Sequence, residues 1–400
     1  MTRSTSPARR RVAGSVLAPV AALALVVLAA APAAAGPPDD AAAYLVSQLV
    51  DGDHVEAGGF VQYGPTIDVG LGLLAADSEP ESLEAVTAFM TTEDALFNYV
   101  HGAGFDRPDA AYAGATAKLG FLVSITGGDP REVAGEDIVE TLLSLEGNDG
   151  RFSDRSDFGD FSNVLGQSFA ILSLTAAEGV EPSAASVQLL VSAQCDDGGY
   201  TLAFDGGDCT GTPDVTGAAV QALNANDPGE SDSLTPEREA ALVAAARWLE
   251  DHREDDGSYL LDGVPNVNTT GYGALGVLAA GLDAASSIEW LASVQLPDGA
   301  LPIAPGGAGD LFATAQALPA LAGDSFLSLD PAVVGPATVV PPDPDPTETP
   351  TETPTATPTT STPTLPPTGT STAGLAVLAL ALCVGGIAVV VAASRALTRA

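Results

Sequence analysis

Apolar and polar positions alternate between two kinds of segment, and the alternation recurs at intervals of about forty to sixty residues. One kind is amphipathic, as in "AARWLEDH" and "IEWLASVQ", with apolar residues three and four apart and charges between them. That spacing predicts helices with one buried face. The other kind is apolar on most faces and rich in Ala and Gly: "DVGLGLLAA", "YAGATAKLGFLVSI", "NVLGQSFAILSL", "DVTGAAVQAL", "TTGYGALGVLAA" and "FATAQALPALA". Helices of this composition are buried on more than one side, and their small residues permit close approach. An Asp-Gly pair separates the two kinds at Asp51-Gly52, Asp149-Gly150, Asp197-Gly198, Asp256-Gly257 and Asp298-Gly299. Three residues before each aspartate stands a polar side chain: Gln48, Glu146, Gln194, Arg253 and Gln295. A degenerate copy fits at Phe89-Met90, with Phe97-Asn98 in place of Asp-Gly. Glycine takes the left-handed conformation that a helix C-terminus requires, so the pair is expected to stop the first helix. The expected fold is all-α: six helical hairpins over residues 41–330, amphipathic helices outside and small-residue helices inside, in the two concentric rings of an α/α toroid. An open solenoid is the alternative. No sustained apolar–polar alternation of period two supports strands.

The chain ends carry signals of a different kind. Arg3, Arg9, Arg10 and Arg11 precede an apolar run that closes on Ala33-Ala34-Ala35. This is the layout of a secretory signal peptide over residues 1–35, followed by a short linker, 36–40. General secretion and twin-arginine export both fit it. Residues 331–364 are a Pro/Thr-rich stretch with a TETP repeat. Proline removes donors and fixes φ, so this stretch is expected to form a disordered stalk. "LPPTG" follows at 365–369, then an apolar segment at 373–394 long enough for a bilayer of about 30 Å, then a basic tail, 395–400. Pentapeptide, span and basic tail in this order resemble the sorting signal of Gram-positive cell-wall proteins. The resemblance implies that a sortase recognises Leu365, Pro366, Thr368 and Gly369, cleaves between Thr368 and Gly369, and links the threonine carbonyl to peptidoglycan. The chain would then be secreted and anchored to the cell wall, and would meet the membrane only before sorting.

Charge narrows the partners. All 52 acidic residues lie between the signal and the sorting motif, against eight of the 14 basic ones, which leaves that part at −44. Nucleic acid is excluded as a partner, since phosphate binding needs clustered Lys and Arg. Solubility accounts for the acidity, and cation binding is the sharper alternative. Cys383 lies in the apolar tail, so Cys195 and Cys209 are the two cysteines of the exported part. Their closeness in an exported chain predicts a disulfide. His54, His101 and His252 lack zinc-ligand spacing. Asp205, Asp208 and Asp214 could offer oxygen ligands to calcium inside the bridged loop, although no EF-hand spacing exists; no other cofactor is expected.

"EWLASVQLPDGAL" and "LLVSAQCDDGGY" resemble the repeats of the terpenoid cyclase and protein prenyltransferase superfamily over about residues 41–325. The resemblance implies a six-hairpin α/α barrel around a central cavity. The superfamily's chemistries do not come with it. Gln194-Cys195-Asp196-Asp197 lacks the first aspartate of a DxDD motif, and "DDGGY" and "DDGSY" lack the last of DDxxD. Gly207 stands where an Asp-x-Cys zinc pair would put its aspartate before Cys209, and a thioester Cys-x-Glu-Gln is absent. Aromatic residues make up only 5%, a thin supply for cation–π stabilisation of carbocations. The expectation is therefore a non-catalytic toroid that binds an unidentified small molecule or surface partner; the alternative is a secreted enzyme acting on an isoprenoid or glycan. The starts of the inner helices would line one mouth of the barrel, making Asp68, Tyr112, Thr116, Gln167, Asp214, Thr216, Thr270, Tyr272 and Thr314 the candidate ligand contacts. Asp68 and Asp214 could instead serve as helix N-caps.

Overall fold

A computed structural model describes residues 36–204, 206–225 and 235–329. The signal segment, the Pro/Thr stretch, the LPPTG motif and the apolar tail lie outside these residues. So does Asp205. Among the described residues no helix is long and apolar enough to cross a membrane.

Six hairpins follow one another along the chain. They are α1 (Pro37–Ser47) with α2 (Tyr63–Ala76), and α3 (Pro80–Met90) with α5 (Ala113–Ile125) through the short α4 (Glu93–Ala95). Then come α6 (Ile138–Leu143) with α7 (Val164–Ala176), α8 (Ala184–Ser192) with α9 (Pro213–Asn224), α10 (Pro236–Asp251) with α11 (Val267–Ala279), and α12 (Ala285–Val294) with α13 (Leu311–Ala322). The second helices pack in sequence, α2 on α5, α5 on α7, α7 on α9, α9 on α11 and α11 on α13, and α13 returns to α2. This closes the inner ring and excludes the open solenoid. Each outer helix leans on the inner ring, as α1 does on both α2 and α13.

Small residues make the inner ring tight. A Cβ on Gly217 of α9 would overlap the Tyr272 carbonyl of α11, so the two backbones touch directly. The helices of the ring are accordingly buried nearly all round; in α9 every residue is buried.

The Asp-Gly pairs do something other than stop a helix. The outer helices end four or more residues earlier, as α12 does at Val294. Four of the five pairs belong to a separate tight turn, closed by the glycine N–H on the carbonyl three residues back: Gly150 to Gly147, Gly198 to Cys195, Gly257 to Glu254 and Gly299 to Leu296. At Asp51-Gly52 it is the Asp53 N–H that donates to Val50 O, at 3.2 Å, and Gly52 faces open space. The aspartate accepts from the N–H two residues ahead, as Asp197 does from Gly199 at 2.9 Å and Asp256 from Ser258 at 3.0 Å. The glycine, at φ +88 in Gly299, lies against the next outer helix around the ring, and a Cβ there would overlap the Asp40 carbonyl of α1. The preceding glutamine reaches the same neighbour: Gln295 Nε2 donates to Pro37 O at 2.8 Å, and Gln194 Nε2 to Ala241 O at 2.9 Å. The last turn thus closes the outer ring onto the first helix.

Three boundaries and details depart from the sequence expectation. The first helix begins at Pro37, inside the segment expected as a linker, because Pro37 occupies its first turn and the Gly36 N–H donates to Asp39 at 3.0 Å. Among the described residues strands exist, but only as three two-residue antiparallel pairs within the outer-to-inner connections: β1 (Glu56–Ala57) with β2 (Phe60–Val61), β3 (Leu260–Leu261) with β4 (Val264–Pro265), and β5 (Leu301–Pro302) with β6 (Gly309–Asp310). The degenerate copy holds Phe97-Asn98 in a π-helical turn, Leu96–Val100. After α13 the short α14 (Phe326–Leu329) folds back on the ring. The Phe326 N–H donates to Gln221 Oε1 of α9 at 2.8 Å, and its ring packs on Phe121, Phe169 and Tyr272 at 5.8, 5.8 and 6.4 Å. Contact with four inner helices puts Phe326 on the barrel axis.

Candidate functional site

The candidate side chains separate by their position in the inner helices. Thr116, Gln167, Thr216, Thr270 and Thr314 are each the fourth residue of their helix, and all are buried. Three of the threonine hydroxyls accept the turn N–H: Thr216 that of Tyr200 at 2.8 Å, Thr270 that of Tyr259 at 2.9 Å and Thr314 that of Leu301 at 2.8 Å. Gln167 Oε1 accepts from Phe152 N at 3.2 Å while its Nε2 donates to Gly150 O and Ser186 O. Thr66, which sequence reasoning did not single out, takes the same place in the first hairpin and accepts from Val55 N at 3.1 Å. Thr116 donates to Tyr112 O at 2.8 Å within its own helix. A buried N–H without a partner is costly, so a threonine hydroxyl, or the Gln167 amide, at this one position fastens five of the six turns to the ring, Thr116 being the exception.

The sixth residues form a different layer. In chain order around the ring they are Asp68, Lys118, Phe169, Ala218, Tyr272 and Gln316, two residues beyond the fastening position. Asp68 is a cap of neither end of α2. Its Oδ1 meets Lys118 Nζ at 2.6 Å, with the two side chains 5% and 1% exposed. Lys118 also donates to Gly64 O at 3.2 Å and lies 5.8 Å from the Phe169 ring centre. Gln316 Nε2 donates to Asp68 Oδ2 at 3.2 Å, and Asn268 Nδ2 donates to Gln316 Oε1 at 2.8 Å. Asn268 and Gln316 are half-buried, so this polar chain runs from the N-terminal mouth down to a buried ion pair.

Asp214 is not an N-cap either. It is the second residue of α9, after Pro213, and Thr212 holds the cap position. Burial pushes its carboxyl above the usual carboxylate range, partly countered by the Thr269 hydroxyl, and its Oδ1 has no hydrogen-bond partner. Burial also pushes the Tyr272 phenol up, and the nearby Asp68, Asp214 and Tyr99 add to the shift. Tyr99, brought inward by the π-helical turn, is raised by burial and by Asp68. Asp68, Lys118, Tyr99, Tyr272 and Asp214 therefore form one buried polar group on the axis, in which Asp68 is neutralised by a cation and Asp214 is held toward its protonated form. Tyr112 is apart from them: its hydroxyl donates to Asp106 Oδ2 at 2.8 Å and meets Ser156 Oγ at 3.3 Å.

Lys118, Tyr99, Asn268 and Gln316 were missed by sequence reasoning. A signal for the first existed: Lys118 is the chain's single lysine, and it interrupts an inner segment with no other charge.

Cys195 and Cys209 are bridged, with Cα atoms 5.1 Å apart. Asp197, within the loop they enclose, accepts from Gly199 of its own turn and, at 3.0 Å, from Gly211 just beyond Cys209. Asp208 is exposed, and among the described residues no three His, Cys, Asp or Glu side chains gather as a metal set.

No protein-family model matches the chain, and no curated protein matches it. Solved structures do. A protein from Actinoplanes superposes with a TM-score of 0.50 at 19% identity, over 71% of this chain and 97% of that one. A point variant of the type II terpene cyclase MstE from Scytonema, in complex with the substrate geranylgeranyl dihydroxybenzoate, superposes at 0.53 and 15% identity, over 72% and 96%. The same enzyme without ligand gives 0.51 at 15%, over 72% and 97%. The fold is that of a terpenoid-cyclase-like α/α toroid.

Proposed function

We propose that this chain is a cell-wall-anchored surface protein whose toroid binds a small molecule or surface partner at the barrel mouth without transforming it. The observation that carries this reading is the filled axis. Phe326 packs between Phe121, Phe169 and Tyr272, and the Asp68 carboxylate is neutralised by Lys118. An interior filled by its own side chains disfavours enclosure of a long substrate, whereas the half-buried Asn268 and Gln316 leave polar groups for a ligand at the mouth. Native mass spectrometry of the protein from its own host is expected to show a co-purifying molecule of unchanged structure. Loss of that molecule in Gln316→Ala would tie it to the mouth, and retention would refute the site. Anchoring rests on the LPPTG arrangement, with sortase and peptidoglycan as covalent partners. Thr368→Ala is expected to release the protein from the wall, and unchanged attachment would overturn this part.

One observation favours a second reading, an enzyme acting on an isoprenoid. Asp214 is a buried carboxyl held toward its protonated form, with an unpaired oxygen, near Tyr272. A protonated carboxyl in an apolar site can donate a proton. MstE acts on geranylgeranyl dihydroxybenzoate, so that compound is the natural trial substrate. A product of equal mass and shifted retention, lost in Asp214→Asn, would establish this reading over the first.

A further inference from the structure

Away from the barrel axis, a groove of about 660 Å³ opens between the connection after α4 and the start of α6. Its volume falls in the range of about 300–1,000 Å³ usual for small-molecule sites. One wall is Phe97, whose side chain is half exposed. The ring is seated on bare backbone, since a Cβ on Gly104 would come within 3.0 Å of it. This fixes the ring while leaving apolar surface uncovered in the groove.

The polar walls are equally fixed. Arg107 forks onto Asp109 through Nε at 2.7 Å and Nη2 at 3.3 Å. Arg155 Nε donates to Asp109 O at 2.7 Å, and its Nη1 to Ser144 Oγ at 3.2 Å. His101 is held between Ala110 O and Glu136 Oε2, both at 2.8 Å. The guanidiniums and carboxylates keep donors or acceptors that their neighbours do not use, whereas both His101 ring nitrogens are engaged.

The chemistry of the walls selects the ligand. Glu93, Asp94, Asp109 and Glu136 outnumber the two guanidiniums, and both guanidiniums already face Asp109, so the groove repels anions. No three ligands gather for a metal among the described residues. A purely apolar ligand would strand the charged walls without water. What remains is a ligand with one apolar face and an edge of paired hydroxyls. A pyranose ring has both: its axial C–H bonds carry slight positive charge and suit an aromatic face, and its neighbouring hydroxyls match forked carboxylate and guanidinium groups.

We propose that this groove binds an uncharged pyranose oligosaccharide, one sugar face laid on Phe97 and its hydroxyls bonded to Arg107, Asp109 and Glu136. The site is separate from the barrel mouth and stands or falls independently of the function proposed there.

Calorimetric titration of the full-length protein with cellotriose, chitotriose, maltotriose and mannotriose, each up to about 10 mM, tests it. At least one sugar is expected to bind. Phe97→Ala and Arg107→Met should each weaken that binding about tenfold or more, while Phe97→Trp keeps it. Phe60→Ala, an exposed aromatic outside the groove, should leave it unchanged. Silence from all four sugars overturns the proposal. So does binding that survives both Phe97→Ala and Arg107→Met, or that falls equally in Phe60→Ala.

Discussion

Replacing Lys118 by Met tests the axial ion pair directly. The substitution keeps an unbranched side chain of similar length but removes the cation 2.6 Å from Asp68 Oδ1. Asp68 is then left almost fully buried without its cation, while the Gln316 amide still donates to it at 3.2 Å. Removing one member of a buried pair costs about 3–5 kcal/mol, because the other charge stays desolvated. At about 2–4 °C per kcal/mol for a domain of this size, Tm should fall by about 6–20 °C. The double variant Asp68→Leu with Lys118→Met removes both charges. It should recover most of the loss, short by about 1–2 kcal/mol for the bonds that Gln316 and Gly64 O no longer make. Urea denaturation followed by circular dichroism, with linear extrapolation, measures all three proteins. The single lysine supplies a second readout: amine-reactive reagents should leave Lys118 unmodified in the native protein and label it on unfolding. A single variant within about 1 kcal/mol of wild type, or a double variant as unstable as the sum of the singles, would refute the argument.

Other consequences follow from the same geometry. Gly299→Ala should destabilise by more than about 2 kcal/mol, combining a left-handed φ with overlap on Asp40. Gly52→Ala, at φ +86 with open space around it, should cost only about 1–2 kcal/mol; equal losses in thermal unfolding would remove the ring-closing role of the turn. The folded-state pKa of Asp214 is raised, so the folded chain binds the extra proton: its contribution is fully present below the unfolded value near 3.8 and is lost as pH rises through the folded value. Asp214→Asn should therefore flatten the stability–pH curve above about pH 4, and an unchanged slope would contradict the burial argument. Replacing Cys195 and Cys209 by Ser should cost about 3 kcal/mol against oxidised wild type for a loop of this length, and reductant-treated wild type should show the same loss; identical Tm values for oxidised and reduced protein would refute it.

The ring architecture was legible in the sequence because it rests on periodicity. Small residues sit where inner helices touch, and Asp-Gly sits where a turn meets the next outer helix. The aspartates of "CDDGGY" fall short of a DxDD motif, and Asp197 spends its oxygens on Gly199 and Gly211. The role of the glycine was misjudged, because a helix stop and a seat for the neighbouring helix demand the same residue. The axial group was illegible for a different reason. Asp68, Lys118, Tyr99 and Gln316 come from widely separated segments, and only closure of the ring brings α13 back beside α2.

That closure also supplies a rule by which the axis can be read from sequence. The fastening residue is the fourth of each inner helix, and the axial residue is two further on. Starting from Thr66, Thr116, Gln167, Thr216, Thr270 and Thr314, the step gives Asp68, Lys118, Phe169, Ala218, Tyr272 and Gln316. A residue at one position serves the turn and is fixed by the backbone it must satisfy; the other carries no turn N–H and is under no such demand. Five of the six fastening positions are threonine, while the six axial positions hold six different residue types. The uniform layer holds the turns to the ring, and the varied layer holds the buried polar group around Asp68 and Lys118. The mouth residues first chosen from sequence mixed the two layers, taking Thr216, Thr270 and Thr314 with Asp68 and Tyr272. Separating them moves the functional question onto the ion pair of Asp68 and Lys118 and the buried Asp214 carboxyl, whose pKa burial raises.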